Sequence, residues 1–207
     1  MTEISIGGDT KKLELNCNKK LSGFVSKLNQ YAINLKKHST ELKQIAGDLV
    51  MKSQQLQKLE NIKPENLRCY SMDQRDRVLA EILYQMNQKV ITANQLIKEV
   101  EEFHTELKVD FQNLSASACS LQIITTEGSI IAGDHKQKPI SYYLEEACQI
   151  LYTWKLYQQS LNLSLSQIEV RNDESIRQFE TVTQLNASLS MNLDRYLLFS
   201  TFLLAQK

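Results

Sequence analysis

The chain has 207 residues, and its 24 lysines and arginines balance 24 acidic residues to a formal net charge of zero. That length suffices for one good core or for several small ones along a bundle, and the charge balance speaks against a protein held to nucleic acid chiefly by net charge. Six glycines and two prolines are few, as expected where most residues sit inside helices that those two types would break.

Residues 1–10 carry Gly7, Gly8 and Asp9 without a periodic pattern and read as a flexible tail. The next segment is dominated by leucines seven residues apart, Leu21, Leu28, Leu35, Leu42, Leu49 and Leu56. A heptad holds one apolar seam against a neighbouring helix, so the spacing predicts a long helix from about Lys12 to Asn61. The second set, Phe24, Tyr31, His38, Ile45, Lys52 and Leu59, is mixed, and Val25, Ala32 and Ala46 widen the stripe. A wide stripe points to a multi-helix bundle rather than a two-stranded zipper. Residues 1–63 hold 11 lysines and 6 acids. This local excess reads as a solvated helix face, with an acidic partner or RNA as the alternative. No long basic region precedes the leucines, which sets aside a DNA-gripping zipper.

Pro64 ends the pattern, because the residue before a proline leaves the helical region. After a connector at 61–72, Asp73 is placed as the cap of a second helix over about 74–120. Its stripe runs through Leu79, Ile82, Met86, Val90, Ala93, Leu96, Val100, Phe103, Leu107, Phe111, Leu114, Ala118 and Leu121, with Glu99, Glu101, Glu102 and His104 mostly on the opposite face. The first two helices form a long antiparallel hairpin over 11–121. Residues 122–140 differ: Ile123, Ile124, Thr125 and Thr126, then Ile130 and Ile131, flank Glu127, Gly128 and Ser129. This connector reads as a small β-hairpin or an extended docking segment, longer than a compact bundle needs. Pro139 and Ser141 open a third helix to about Val170, with Tyr143, Leu144, Ala147, Ile150, Leu151, Trp154, Tyr157, Leu161, Leu165 and Ile168 on its stripe. Asp173 caps a fourth, which carries Ile176, Phe179, Val182, Leu185, Leu189, Leu193, Tyr196, Leu197, Leu203 and Leu204. The expected fold is all-α: an elongated four-helix bundle with coiled-coil-like long helices, a long connector between helices two and three, and a C-terminal helical pair over 141–207.

Chemistry-bearing constellations are sparse. Cys17, Cys69, Cys119 and Cys148 lie far apart and form no C-x-x-C pair, so neither a zinc site nor a redox motif is signalled. We read no secretory leader and expect reduced thiols in cytosol or nucleus. His38, His104 and His135 sit on three different elements, adjacent acids such as Glu145 and Glu146 do not face one another on a helix, and Gly7 and Gly8 lack the phosphate-loop spacing. No window reaches the roughly 18–20 apolar residues of a membrane span. The expectation is therefore no catalytic residue, no metal and no cofactor. Tyr142 and Tyr152 lie off the main stripe of helix three and mark a contact surface, as aromatics concentrate at interface hot spots. The apolar ending, with Tyr196, Phe199 and Phe202, reads as either a buried helix or a sticky end for a partner.

Three stretches carry a resemblance. They are PENLRCYSMDQRDRVLAEIL at 64–83, where Leu67 and Arg68 precede a charged helix start, KPISYYLEEACQILYTWKLYQQSLNLSLSQIE at 138–169, and LDRYLLFSTFLLAQK at 193–207. Together with length and helix order, they make the chain resemble the AAA-ATPase-interacting ribosome maturation factor family (AIRIM), itself distantly similar to the cyclin-dependent-kinase-interacting protein CINP. Gln158, Gln159 and Ser160 stand where that family tends to show a basic run. The resemblance implies a non-catalytic adaptor that works with a CINP-like helical subunit on an AAA+ ATPase hexamer. That assembly acts in large ribosomal subunit maturation, releasing and recycling maturation factors, and in replisome turnover. Contact with the pre-ribosomal large subunit would be indirect, without membrane association or sequence-specific nucleic-acid binding, and the location cytoplasmic and nuclear. The implied contact residues are Leu67, Arg68, Tyr142, Tyr152, Tyr196, Phe199 and Phe202. A coiled-coil structural subunit of a spindle or kinetochore assembly is the alternative that the heptads fit.

Overall fold

A computed structural model describes residues 6–62, 72–124, 129–133 and 138–204, with side chains described for 10–62, 73–124, 130–133 and 138–200. The described residues form α1 (Ile6–Glu60), α2 (Met72–Ile124), the single turn α3 (Ser129–Ala132), α4 (Ile140–Ser166), α5 (Asp173–Thr183) and α6 (Ala187–Leu204), with no strand among them. The fold is all-α, as the periodicity requires. The chain divides into two compact units. One comprises Met1–Asn34, Glu102–Lys155 and Asn186–Lys207, the other Leu35–Glu101 and Leu156–Leu185. Each therefore takes a part of α1, α2 and α4, whereas the sequence divisions followed chain order.

The six heptad leucines of α1 are all fully buried. A further heptad, Val25, Ala32, Ser39, Ala46 and Ser53, is buried beside them. Its small side chains let a third helix approach a backbone already covered on its leucine side. The facing surface of α2 carries its own heptad, Met86, Ala93, Val100, Leu107, Leu114 and Leu121, every member 1% exposed or less.

In the first unit α1 and α2 run antiparallel. Lys20 Nζ donates to Ser117 Oγ (2.6 Å), Lys27 Nζ lies 3.0 Å from Asp110 and 2.9 Å from Glu106, and Tyr31 Oη donates to Glu106 (2.5 Å). Tyr31 also stacks on Phe103 at 4.5 Å between ring centroids. Hydrogen bonds from Tyr31, then Lys27, hold the Glu106 carboxyl below its ordinary range, and the Glu106 contact raises the Lys27 ammonium. The core is aromatic: Phe24 meets Phe111 and, edge-on, Tyr196, which in turn meets Tyr143 edge-on, and Trp154 of the same unit is fully buried. These are the tilted and T-shaped arrangements that ring quadrupoles favour.

The second unit repeats the antiparallel pairing. His38 Nε2 lies 3.0 Å from Glu99, Lys89 Nζ 2.7 Å from Asp48, and Lys52 Nζ donates to Gln85 (2.5 Å). Arg75 donates to the carbonyls of Leu59 (3.1 Å) and Glu60 (3.0 Å), supplying donors to the end of α1, where helical partners run out. Ser39 Oγ donates to Thr183 O (2.7 Å) and accepts from Leu185 N (3.0 Å), while Tyr157 Oη donates to the same Thr183 carbonyl (2.9 Å). Ser53 Oγ hydrogen-bonds Asp173.

Several sequence expectations change. Where a small β-hairpin or an extended segment was expected, Ile123 and Ile124 end α2, and Ile130 and Ile131 belong to the helical turn α3. Ile130 is fully buried, with its amide bonded to Glu14 Oε1 (3.3 Å). Burial on a neighbouring helix overrides the β-branched preference. Gly133 follows with φ of 75°, a left-handed conformation that suits glycine just past a helix end. α1 begins at Ile6, so part of the expected tail is helical. Helix three stops at Ser166, short of Val170. The cap of α5 is Asn172, whose Oδ1 accepts from Glu174 N (3.0 Å) and Ser175 N (3.4 Å), and Asp173 is the first helical residue instead. Asp73 likewise lies within the first turn of α2. The expected fourth helix is two: Gln184 leaves the helical region, and Asn186 Oδ1 accepts from Ser188 N (2.8 Å) to start α6. His104 is buried, not on the solvent face, with Nε2 3.1 Å from Leu151 O.

Candidate functional site

α6 is apolar on more than one side. Leu189, Leu193, Tyr196 and Ser200 recur at spacings of four and three and are buried in the first unit. The other side presents Met191 (65% exposed), Leu198 (68%) and Phe199 (42%), with Ala187, Asp194 and Arg195 between them around a shallow cavity. A helix apolar around most of its circumference is normally buried, so this exposed half has more apolar surface than one chain covers. The face is held in place rather than frayed. Arg195 donates to Glu146 on α4 (2.6 Å), and Ser200 Oγ donates to Tyr196 O (2.7 Å).

At its edge, half-buried Tyr142 meets Phe199 edge-on at 5.9 Å and Tyr143 at 5.9 Å. Lys138 Nζ sits 5.7 Å from the Tyr142 ring centroid and 6.0 Å from that of Phe199, within reach of a cation–π contact. Burial, then the Glu146 carboxylate, raises the Tyr142 hydroxyl above its ordinary pKa. Two of the expected contact residues, Tyr142 and Phe199, are thus brought together. Tyr152 (63% exposed) lies apart from them on α4, beside a second groove.

Tyr196 is a correction. It is only 1% exposed and contributes to the core, because it falls in register with Leu189 and Leu193. Burial pushes its hydroxyl far up, and that oxygen has no hydrogen-bond partner among the described residues. Leu67, Arg68 and the side chain of Phe202 lie outside the described residues. The sequence reading did not single out Met191, Leu198 or Lys138. The signal for the first two was their heptad separation off the buried stripe of α6; for Lys138 there was none. Three lysines of the basic α1 reach α2: Lys27 pairs with Glu106 and Asp110, while Lys20 and Lys52 meet the neutral side chains of Ser117 and Gln85.

Among the described residues no group of three or more His, Cys, Asp or Glu side chains is placed to hold a metal ion, and no helix is long and apolar enough to cross a membrane. Comparison of the chain with protein-family models, curated proteins and solved structures finds no match.

Proposed function

We propose that this chain is a non-catalytic helical adaptor, docking through the exposed face of α6 onto a partner in an AAA+ ATPase assembly of large ribosomal subunit maturation. The observation that carries the adaptor reading is that face: Met191 and Leu198 each leave about two thirds of their surface in water on a helix whose other side is core. Exposed apolar patches on an ordered element mark interaction sites. The finer assignment rests on the AIRIM-like stretches at 64–83, 138–169 and 193–207. On that reading the partners are the ATPase hexamer and a CINP-like helical subunit. The motor hydrolyses ATP, and the chain places it on maturation factors or on the replisome, in cytoplasm and nucleus. The spindle or kinetochore alternative loses its main argument, because the heptad leucines from Leu21 to Leu56 are buried within the chain and need no second strand.

The test is affinity purification of the tagged chain from its own cells, with mass spectrometry, beside the double variant Met191→Glu, Leu198→Glu. The wild type should retain an AAA+ ATPase, a CINP-like chain and large-subunit precursors, and the variant should lose them while keeping its helical circular dichroism. Recovery of spindle or kinetochore subunits would refute the ribosomal reading. A partner set indifferent to the variant would refute docking through α6.

A further inference from the structure

A second groove lies in the first unit between α2 and α4, away from the α6 face. Its floor is apolar, made by Phe111 and Leu151, with Tyr152 and Cys148 along α4. His104 and Gln112 on α2 also line it, and Lys108 on α2 and Lys155 on α4, both exposed, stand one on each wall. Elsewhere the lysines facing the helix pair are engaged: Lys20, Lys27, Lys52 and Lys89 all hold a side chain across it. Lys108 and Lys155 make no ion pair or hydrogen bond among the described residues, and no carboxylate is among the described residues of the lining. The cavity volume is about 280 Å³, below the roughly 300–1,000 Å³ of small-molecule sites. It is sized for one or two inserted side chains. Two parallel ridges of helix side chains with a trough between them receive a third helix, and apolar anchors at helical spacing are how such a segment is held.

We propose that the groove between α2 and α4 binds an acidic amphipathic helix of a partner protein, its apolar anchor on Phe111 and Leu151 and its carboxylates paired with Lys108 and Lys155. The two uncompensated ammonium groups, one on each wall, give the charge complementarity that selects an acidic over a neutral or basic segment. The apolar floor between them favours a side chain over a phosphate. The surface is independent of the α6 face and of which assembly the chain joins.

The test uses the purified full chain and a fluorescein-labelled synthetic helix with leucine at i, i+3 and i+7 and glutamate on its polar face. A lysine-faced peptide of the same leucine pattern is the control. The glutamate peptide should bind, the lysine peptide should not, and Lys108→Glu, Lys155→Glu should weaken binding by about tenfold or more. Both positions are exposed, so the variant should keep its circular dichroism. Bound peptide should also slow maleimide modification of Cys148, read by peptide mapping, without slowing that of Cys119, which is also exposed. Equal binding of the two peptides, binding indifferent to the lysine reversal, or loss of binding in Met191→Glu, Leu198→Glu instead would overturn the proposal. So would concentration-dependent protection of Cys148 without peptide, which would assign the groove to a second copy of the chain.

Discussion

Ser39 tests whether the break between α5 and α6 is held by one hydroxyl. Its Oγ donates to Thr183 O at 2.7 Å and accepts from Leu185 N at 3.0 Å, and the residue is 8% exposed. In Ser39→Ala the Thr183 carbonyl keeps its second donor, Tyr157 Oη at 2.9 Å, so that loss costs about 1 kcal/mol. The Leu185 amide has no such reserve. It is part-buried, so leaving it unpaired costs about 1–2 kcal/mol, the lower part of the range for a stranded buried donor. The expected destabilisation is about 2–3 kcal/mol. Tyr157→Phe alone should cost about 1 kcal/mol, because Ser39 still serves the carbonyl. The double variant should exceed the sum of the two by roughly 1 kcal/mol, since only then is Thr183 O orphaned, and contacting residues of one network are not additive. Urea denaturation followed by far-ultraviolet circular dichroism measures all four corners of the cycle. A Ser39→Ala variant within about 0.5 kcal/mol of wild type, the scatter of ordinary surface changes, would refute the reasoning. So would an additive cycle.

Two further perturbations follow from buried oxygens and open helix positions. Tyr196→Phe should leave the chain as stable or up to about 1–2 kcal/mol more stable, because it removes a buried hydroxyl that lacks a partner; a marked loss in urea denaturation would show that the oxygen is satisfied after all. Burial raises the hydroxyls of Tyr196, Tyr157 and Tyr143 in the folded chain. Their contribution is therefore complete below the unfolded tyrosine value of about 10 and lost as pH climbs above it, when the unfolded chain releases protons the folded chain keeps. A pH series of urea midpoints should fall above about pH 10, less steeply in Tyr196→Phe; a midpoint flat to pH 12 would contradict this. Gly23→Ala and Gly47→Ala should each stabilise by about 0.5–1 kcal/mol, since both sit within α1 with nothing within 4 Å of an added Cβ; a lower thermal midpoint in either would argue that the helix bends or pairs there in a way its backbone does not show.

Periodicity determined that the long segments are helical and which side of α1 carries its leucine core. An apolar seam seven residues apart can be buried only along a helix, and every leucine of that seam is buried. It also placed Tyr152 off the core and Trp154 within it. Tertiary contacts decided the rest. The β-branched stretch around Ile130 is a helical turn because Glu14 and a buried site receive it, and such contacts are invisible to local propensity. The fourth helix divides because a hydroxyl 144 residues upstream competes for its backbone. Tyr196, Leu198 and Phe199 lie within four consecutive residues of one apolar run, yet the first is core and the others are exposed. Which of them meets solvent depends on how α6 is rotated against Phe24 and Tyr143, a quantity that the order of residues along one helix does not contain.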